Sequence, residues 1–273
     1  PLPRDDRLTL AESGLHANSS LQVLGRLRGG VEVPLFGQQH SISDTGLLDL
    51  KGQDVGPAKL KEVAAFFSSP ESAAVRRLVL SGNMITDRGK DLSGLKALCE
   101  VLPTLKHPIS LDLANCGLGV AEVNEVAKAI GAGAVLNSMT VDSTGVPKKT
   151  SGSRAEREAS LTVQYLFSSP RTYTLTVGEE KIDLSQKNLG SADVALVAAW
   201  LQRPEVSAAV ARLSLSGNKI TGTKYLGRGN YEYDPDISGL VSLCEALPTL
   251  KNPLDLDLSN CGLSVNGVNP VTE

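Results

Sequence analysis

The chain has 273 residues, of which 41% are hydrophobic and 21% charged, and a formal net charge of −3. That balance excludes disorder along the whole length and a collagen-like chain, and the slight acidic excess gives no support for general electrostatic binding of nucleic acid or anionic membrane. Only 4% of the residues are aromatic, so the core must be aliphatic, and many small copies of one unit are one way to build it.

No apolar run approaches the roughly 18–20 residues of a membrane span, and no secretory signal is visible. Membrane insertion is therefore not expected. Four cysteines, Cys99, Cys116, Cys244 and Cys261, are too sparse for a disulfide scaffold, and reduced thiols in a cytoplasmic protein are the expectation. The chain starts at Pro1 and stops where a helix is expected, as a segment cut at both ends would.

In chain order, Asp6-Arg7-Leu8-Thr9-Leu10 is followed by Gly14-Leu15, by Ser19-Ser20-Leu21-Gln22-Val23-Leu24, and by Arg26-Leu27-Arg28-Gly29-Gly30. This order resembles the last third of ubiquitin and its relatives, and residues 1–30 are assigned to a partial ubiquitin-like segment. The resemblance implies that a ubiquitin-specific protease could accept the side-chain-free pair Gly29 and Gly30 and cut after Gly30. Two alternatives stay open: a docking module that is never cut, or strands that merely cap the exposed apolar end of the neighbouring domain. Residues 31–41 read as a linker.

From there a repeat dominates. Leu78-Val79-Leu80-Ser81-Gly82-Asn83 returns as Leu213-Ser214-Leu215-Ser216-Gly217-Asn218, and Leu111-Asp112-Leu113-Ala114-Asn115-Cys116-Gly117-Leu118 returns as Leu256-Asp257-Leu258-Ser259-Asn260-Cys261-Gly262-Leu263. The offset is 135 residues at the first motif and 145 at the second, so the later copy has gained ten residues within Thr223–Asp236. A shorter unit, apolar-x-apolar followed by a polar turn residue, starts at Leu48, Leu78, Leu111, Met139, Ile182, Leu213 and Leu256. Alternating apolar residues predict a short strand in each unit. Three- and four-residue spacing of apolar residues predicts helices over 57–67, 92–102, 120–130, 192–201 and 238–247. The Asn or Cys after each strand is placed to satisfy backbone groups that the turn leaves unpaired.

Seven such units in order resemble leucine-rich repeats of the ribonuclease-inhibitor-like type. The resemblance implies an α/β solenoid, with a curved parallel sheet inside and helices outside, in two duplicated halves at 42–146 and 179–273, the second truncated. It implies a non-enzymatic scaffold for another protein. Residues 147–178 read as an inserted basic loop and hairpin, with Ser160–Leu166 and Tyr173–Val177 as its strands.

No catalytic set stands out. His16, His40 and His107 lie at no metal-ligand spacing with one another or with a cysteine, so no cofactor or metal is expected. The Ser-Gly-Asn runs at 81–83 and 216–218 read as turns of the repeat, not as part of a hydrolase. The outward column of the strands carries Asp49, Asp112, Asp183 and Asp257 with Val79, Thr140 and Ser214. The column two residues on reads Lys51, Ser81, Ala114, Asp142, Ser185, Ser216 and Ser259. Together they predict a mildly acidic floor, which either steers a basic protein segment or is the ordinary composition of the repeat on a solvated sheet. The gained stretch holds Tyr225, Tyr231 and Tyr233 with Arg228; tyrosine with Gly, Asn and Arg is the composition of contact loops, and the stretch reads either as a partner contact or as a loop packed on its own scaffold. Ubiquitin-system proteins are the alternative partners.

Overall fold

A computed structural model describes residues 30–145, 171–227 and 230–272. The chain is α/β. Its first sheet has seven strands in the order of the sequence: β1 (Val31–Leu35), β2 (Gln38–Ile42), β3 (Leu47–Asp49), β4 (Arg77–Val79), β5 (Ile109–Asp112), β6 (Leu136–Asp142) and β7 (Thr172–Thr176). A second sheet holds β8 (Lys181–Asp183), β9 (Arg212–Ser214) and β12 (Asp255–Asp257), and a separate hairpin holds β10 (Lys224–Gly227) and β11 (Asn230–Glu232).

The repeat alignment is the strand register. Leu48 pairs with Leu78, Leu78 with Leu111 and Leu111 with Met139, all parallel. In the second sheet Ile182 pairs with Leu213 and Leu213 with Leu256, again parallel. The inward residues of each apolar-x-apolar unit are buried from Leu48 and Leu50 through Met139 and Val141. Burying each such side chain is worth roughly 1.5–3 kcal/mol.

The first sheet is mixed rather than parallel throughout. At one edge β1 and β2 form an antiparallel hairpin, and Ile42 of β2 pairs antiparallel with Leu48. Residues 31–41, expected as a linker, thus form strands, and Val33 and Leu35 enter the core. Pro34 lacks an N–H and sits on the edge strand, where the loss is tolerated. At the other edge β7 runs antiparallel to β6, pairing Met139 with Leu175 and Val141 with Tyr173. The second strand of the expected inserted hairpin is therefore present but joined to the preceding unit; its first strand, Ser160–Leu166, lies outside the described residues.

Helices α1 (Pro57–Phe66), α2 (Ser93–Val101), α3 (Val120–Gly131), α4 (Ser191–Leu201), α6 (Ser238–Ala246) and α7 (Val265–Thr272) each pack on the next in that order. A short α5 (Pro204–Ser207) follows α4. The helix layer thus runs across the break between the two sheets. At the joint, α4 packs on both α3 and α6 and is buried nearly all round, Val194, Leu196, Val197 and Trp200 included. A helix apolar on every side belongs in an interior. Among the described residues no helix is long and apolar enough to cross a membrane.

Candidate functional site

The strand ends show what the polar turn residues do. Asn83 donates to the Leu50 and Leu80 carbonyls, both at 2.8 Å, and accepts the Val55 N–H at 3.0 Å. Asn218 donates to Leu184 and Leu215 at 2.8 and 2.7 Å and accepts the Leu189 N–H at 3.0 Å. Both amides are buried and fully engaged with backbone. Gly82 and Gly217 before them both have φ of +73°, a conformation glycine adopts without a Cβ penalty. Cys116 and Cys261 occupy the next equivalent place, their thiols 3.2 and 3.3 Å from the Leu80 and Leu215 carbonyls. Burial pushes Cys99 and Cys116 up to about 12, so these thiols are poor nucleophiles.

Two carboxylates at the joint have buried roles that the sequence did not show: Asp142 reads there as part of the floor, and Asp193 not at all. Asp142 is wholly buried, not on an open floor, and accepts the N–H groups of Asn115 at 2.6 Å and Gly117 at 2.9 Å. Asp193 accepts from the Thr144 N–H, the Thr144 hydroxyl and the Gly190 N–H at 2.7–2.8 Å, and from the Tyr173 hydroxyl at 3.0 Å. Burial raises both carboxyls above their usual range, against these donors. The available signal for Asp193 is Gly190-x-x-Asp193 at a helix start, matched by Gly119-x-x-Glu122, whose Glu122 carboxylate takes the Gly119 N–H at 3.1 Å.

The four aspartates of the outward column divide between the sheets. Asp49 and Asp112 flank Val79, and Asp183 and Asp257 flank Ser214. Each uses one oxygen on the N–H two residues ahead: Lys51, Ala114, Ser185 and Ser259, all at 2.9–3.0 Å. This is an Asx turn, a local backbone role for the side chain. Asp257 also accepts from Ser214 at 3.0 Å, and Arg77 stands 3.9 Å from Asp112. Hydrogen bonds from Ser185 and from Ser259 hold the Asp183 and Asp257 carboxyls below the usual range. Val79 and Ser214 are buried, so the floor is narrower than its composition suggests.

The ten-residue gain forms the β10–β11 hairpin. Lys224 pairs with Glu232, and their side chains form an ion pair at 2.7 Å; the backbone of Tyr225 pairs with that of Tyr231. Tyr231 and Tyr233 stack, with ring centroids 5.4 Å apart and planes at 27°. They are 48% and 53% exposed. The base of the hairpin is fastened by Asp234, which accepts from the Thr221 hydroxyl at 2.7 Å, the Ser264 N–H at 2.9 Å, the Gly267 N–H at 3.1 Å and the Ser264 hydroxyl. Partial burial works to raise the Asp234 carboxyl, but these donors outweigh it and hold it below its usual range. Asp234 also lines a cavity of about 680 Å³ between α6 and α7, with Ile237, Val241 and Asn266.

Gly30 is the first described residue, and a Cβ on it would lie 2.3 Å from both the Ile42 carbonyl oxygen and the Ser41 hydroxyl. Packing alone thus requires glycine there. Gly29 and Arg228 lie outside the described residues. Among the described residues no three His, Cys, Asp or Glu side chains are grouped to hold a metal ion. Comparison with protein-family models and with curated proteins gives no match.

Proposed function

We propose that the two sheets and their helix layer are one leucine-rich-repeat solenoid of the ribonuclease-inhibitor-like type, and that it serves as a non-enzymatic scaffold holding another protein. The parallel register of equivalent repeat residues and the sequential packing of the helices support the solenoid; a stack of this kind is stabilised unit by unit by its neighbours.

The observation that carries the binding function is the Tyr231–Tyr233 pair. It lies on a hairpin that only one of the two copies has, so stacking of the units does not require it. The rings are ordered against each other and half exposed, and aromatic side chains of that kind bury much area at low entropic cost. The aspartate column is the weaker candidate for a basic segment, because each carboxylate is partly spent on its own backbone. The test is recovery of complexes on the wild-type chain, on Tyr231→Ser/Tyr233→Ser and on Asp49→Ser/Asp112→Ser. A partner held by the wild type and the aspartate variant but lost from the tyrosine variant supports the proposal. Equal recovery on all three removes the hairpin from the binding surface.

A second function, processing in the ubiquitin system, is favoured by one boundary. β1 begins at Val31, directly after Gly30, and carries Val33 and Leu35 into the core, so the bond at which the ubiquitin-like resemblance of Arg26-Leu27-Arg28-Gly29-Gly30 places the cut adjoins the first strand. Incubation with a ubiquitin-specific protease followed by N-terminal sequencing tests it. A fragment starting at Val31 supports processing; an intact chain removes it and leaves docking to a ubiquitin receptor as the remaining form.

A further inference from the structure

The break between the two sheets leaves a space. β7 turns back against β6, β8 opens the second sheet, and the end of α3, the start of β6 and the end of α4 border a cavity of about 460 Å³. Ile130, Ala134, Leu136, Val177 and Ala199 give it an apolar lining, and Arg203 stands in the same wall. Small-molecule sites of this make-up occupy roughly 300–1,000 Å³. The cavity lies at the Leu136 end of β6. Gly145 and Arg171, which flank residues 146–170, lie at the other end of the β6–β7 pair, where Asp142 faces Thr172.

Arg203 is a buried cation without a full counter-charge. Its side chain is 11% exposed, and one Nη donates to the Leu136 carbonyl at 2.7 Å. The Glu205 carboxylate is 3.9 Å from its Nε, beyond hydrogen-bond length, and is itself 61% exposed. The guanidinium lies over the buried Trp200 ring, 4.4 Å from its centroid. Among the described residues, neither Nη1 of Arg203 nor Nε1 of Trp200 has an acceptor, although both atoms are buried. Buried donors nearly always find an acceptor, and a buried charge is costly until it is paired. A guanidinium beside an apolar cavity is matched in shape and charge by a carboxylate.

From this we infer that the cavity at the joint binds a small monocarboxylate with an apolar body. The carboxylate pairs with the Arg203 guanidinium, and the apolar body lies against Ile130, Leu136, Val177 and Ala199. A single negative charge fits the site, because there is one buried cation and Glu205 beside it repels a second anionic group. Ile130 and Leu136 belong to the first half and Ala199 and Arg203 to the second, so the ligand bridges the halves and stabilises the joint. The inference is independent of the scaffold proposal and uses no residue of the tyrosine hairpin.

Trp200 is the only tryptophan in the chain, so its fluorescence reads the site directly. The test titrates the whole chain with octanoate. Octanol is the uncharged control of the same chain length, and acetate is the anion without an apolar body. Octanoate should change the Trp200 emission saturably and raise the melting temperature. Octanol and acetate should each bind at least about tenfold more weakly, the scale of a lost charge-assisted pair or of lost apolar burial. Arg203→Met should weaken octanoate by a similar factor. Ala199→Leu fills the cavity while leaving Arg203 and Trp200 in place, and should abolish saturation; it decides the matter if Arg203→Met does not fold. Any of four results would overturn the inference: no saturable change with octanoate, equal binding of octanol, undiminished binding by folded Arg203→Met, or undiminished binding by Ala199→Leu.

Discussion

The Tyr173 hydroxyl donates to Asp193 across 3.0 Å, and both side chains are buried. Tyr173 belongs to β7 and Asp193 to the first turn of α4, while the other Asp193 oxygen gathers Thr144, at the end of β6, and Gly190. One carboxylate thus ties together the last strands of the first sheet and the first helix of the second half. Tyr173→Phe leaves three of the four donors in place and should cost about 1–2 kcal/mol. Asp193→Asn should cost more, about 2–4 kcal/mol, because one amide oxygen cannot satisfy four converging donors. Urea unfolding measures both, and equal costs would mean that the Asp193 network does not hold the joint.

The two buried asparagines make the same three bonds in different sheets. Asn83→Ala and Asn218→Ala should each cost about 2–4 kcal/mol, since each leaves a buried N–H without its acceptor, and the Leu80 or Leu215 carbonyl keeps only the weak thiol donor of Cys116 or Cys261. Costs equal to within about 0.5 kcal/mol are expected if the halves are structurally equivalent. Calorimetry or urea titration of the pair decides it.

The Asp234 staple should respond to acid. Its carboxyl is held below the usual range by donors from Ser264, Thr221 and Gly267, against the opposing effect of burial. A carboxyl lowered on folding adds stability above its unfolded value, near 4, and loses it as pH falls through the lower folded value. Amide exchange at Ser264 and Gly267 should therefore quicken on acidification below about pH 4, relative to the intrinsic rate. Asp234→Asn should exchange faster already at neutral pH and show a flatter acid response.

The thiols should separate by reactivity. Burial pushes Cys99 and Cys116 up to about 12 and also raises Cys261. Cys244 is raised too, but it is half-exposed. A thiol-specific reagent at pH 8 should label Cys244 first, with the other three following only on unfolding. Mass spectrometry of the labelled peptides checks the order.

Much of the fold was legible because the repeat carries its own register. The starts at Leu48, Leu78, Leu111 and Met139 are strand partners, and so are those at Ile182, Leu213 and Leu256. The helices expected over 57–67 and 120–130 lie at Pro57–Phe66 and Val120–Gly131. The β1–β2 hairpin was not legible, because Val31-Glu32-Val33 is a short alternation broken by Pro34, and its place at the sheet edge is what permits the proline. Asp142 was placed on the open floor and Asp193 was missed because a carboxylate in isolation reads as surface; only the fold brings four donors to Asp193. The aspartate column was found as residues, but its use in Asx turns depends on backbone geometry beyond the strand pattern. For the tyrosines the signal was composition alone, and it led to the stacked pair on the hairpin.

The central claim is that the chain holds a protein partner through the tyrosine hairpin. Hydrogen exchange of the chain, alone and in the complex recovered with it, tests this most directly. The account predicts new protection across residues 224–234 in the complex, absent in Tyr231→Ser/Tyr233→Ser. Protection confined to the helix layer of α1, α2 and α3, with the hairpin amides unchanged, would contradict it.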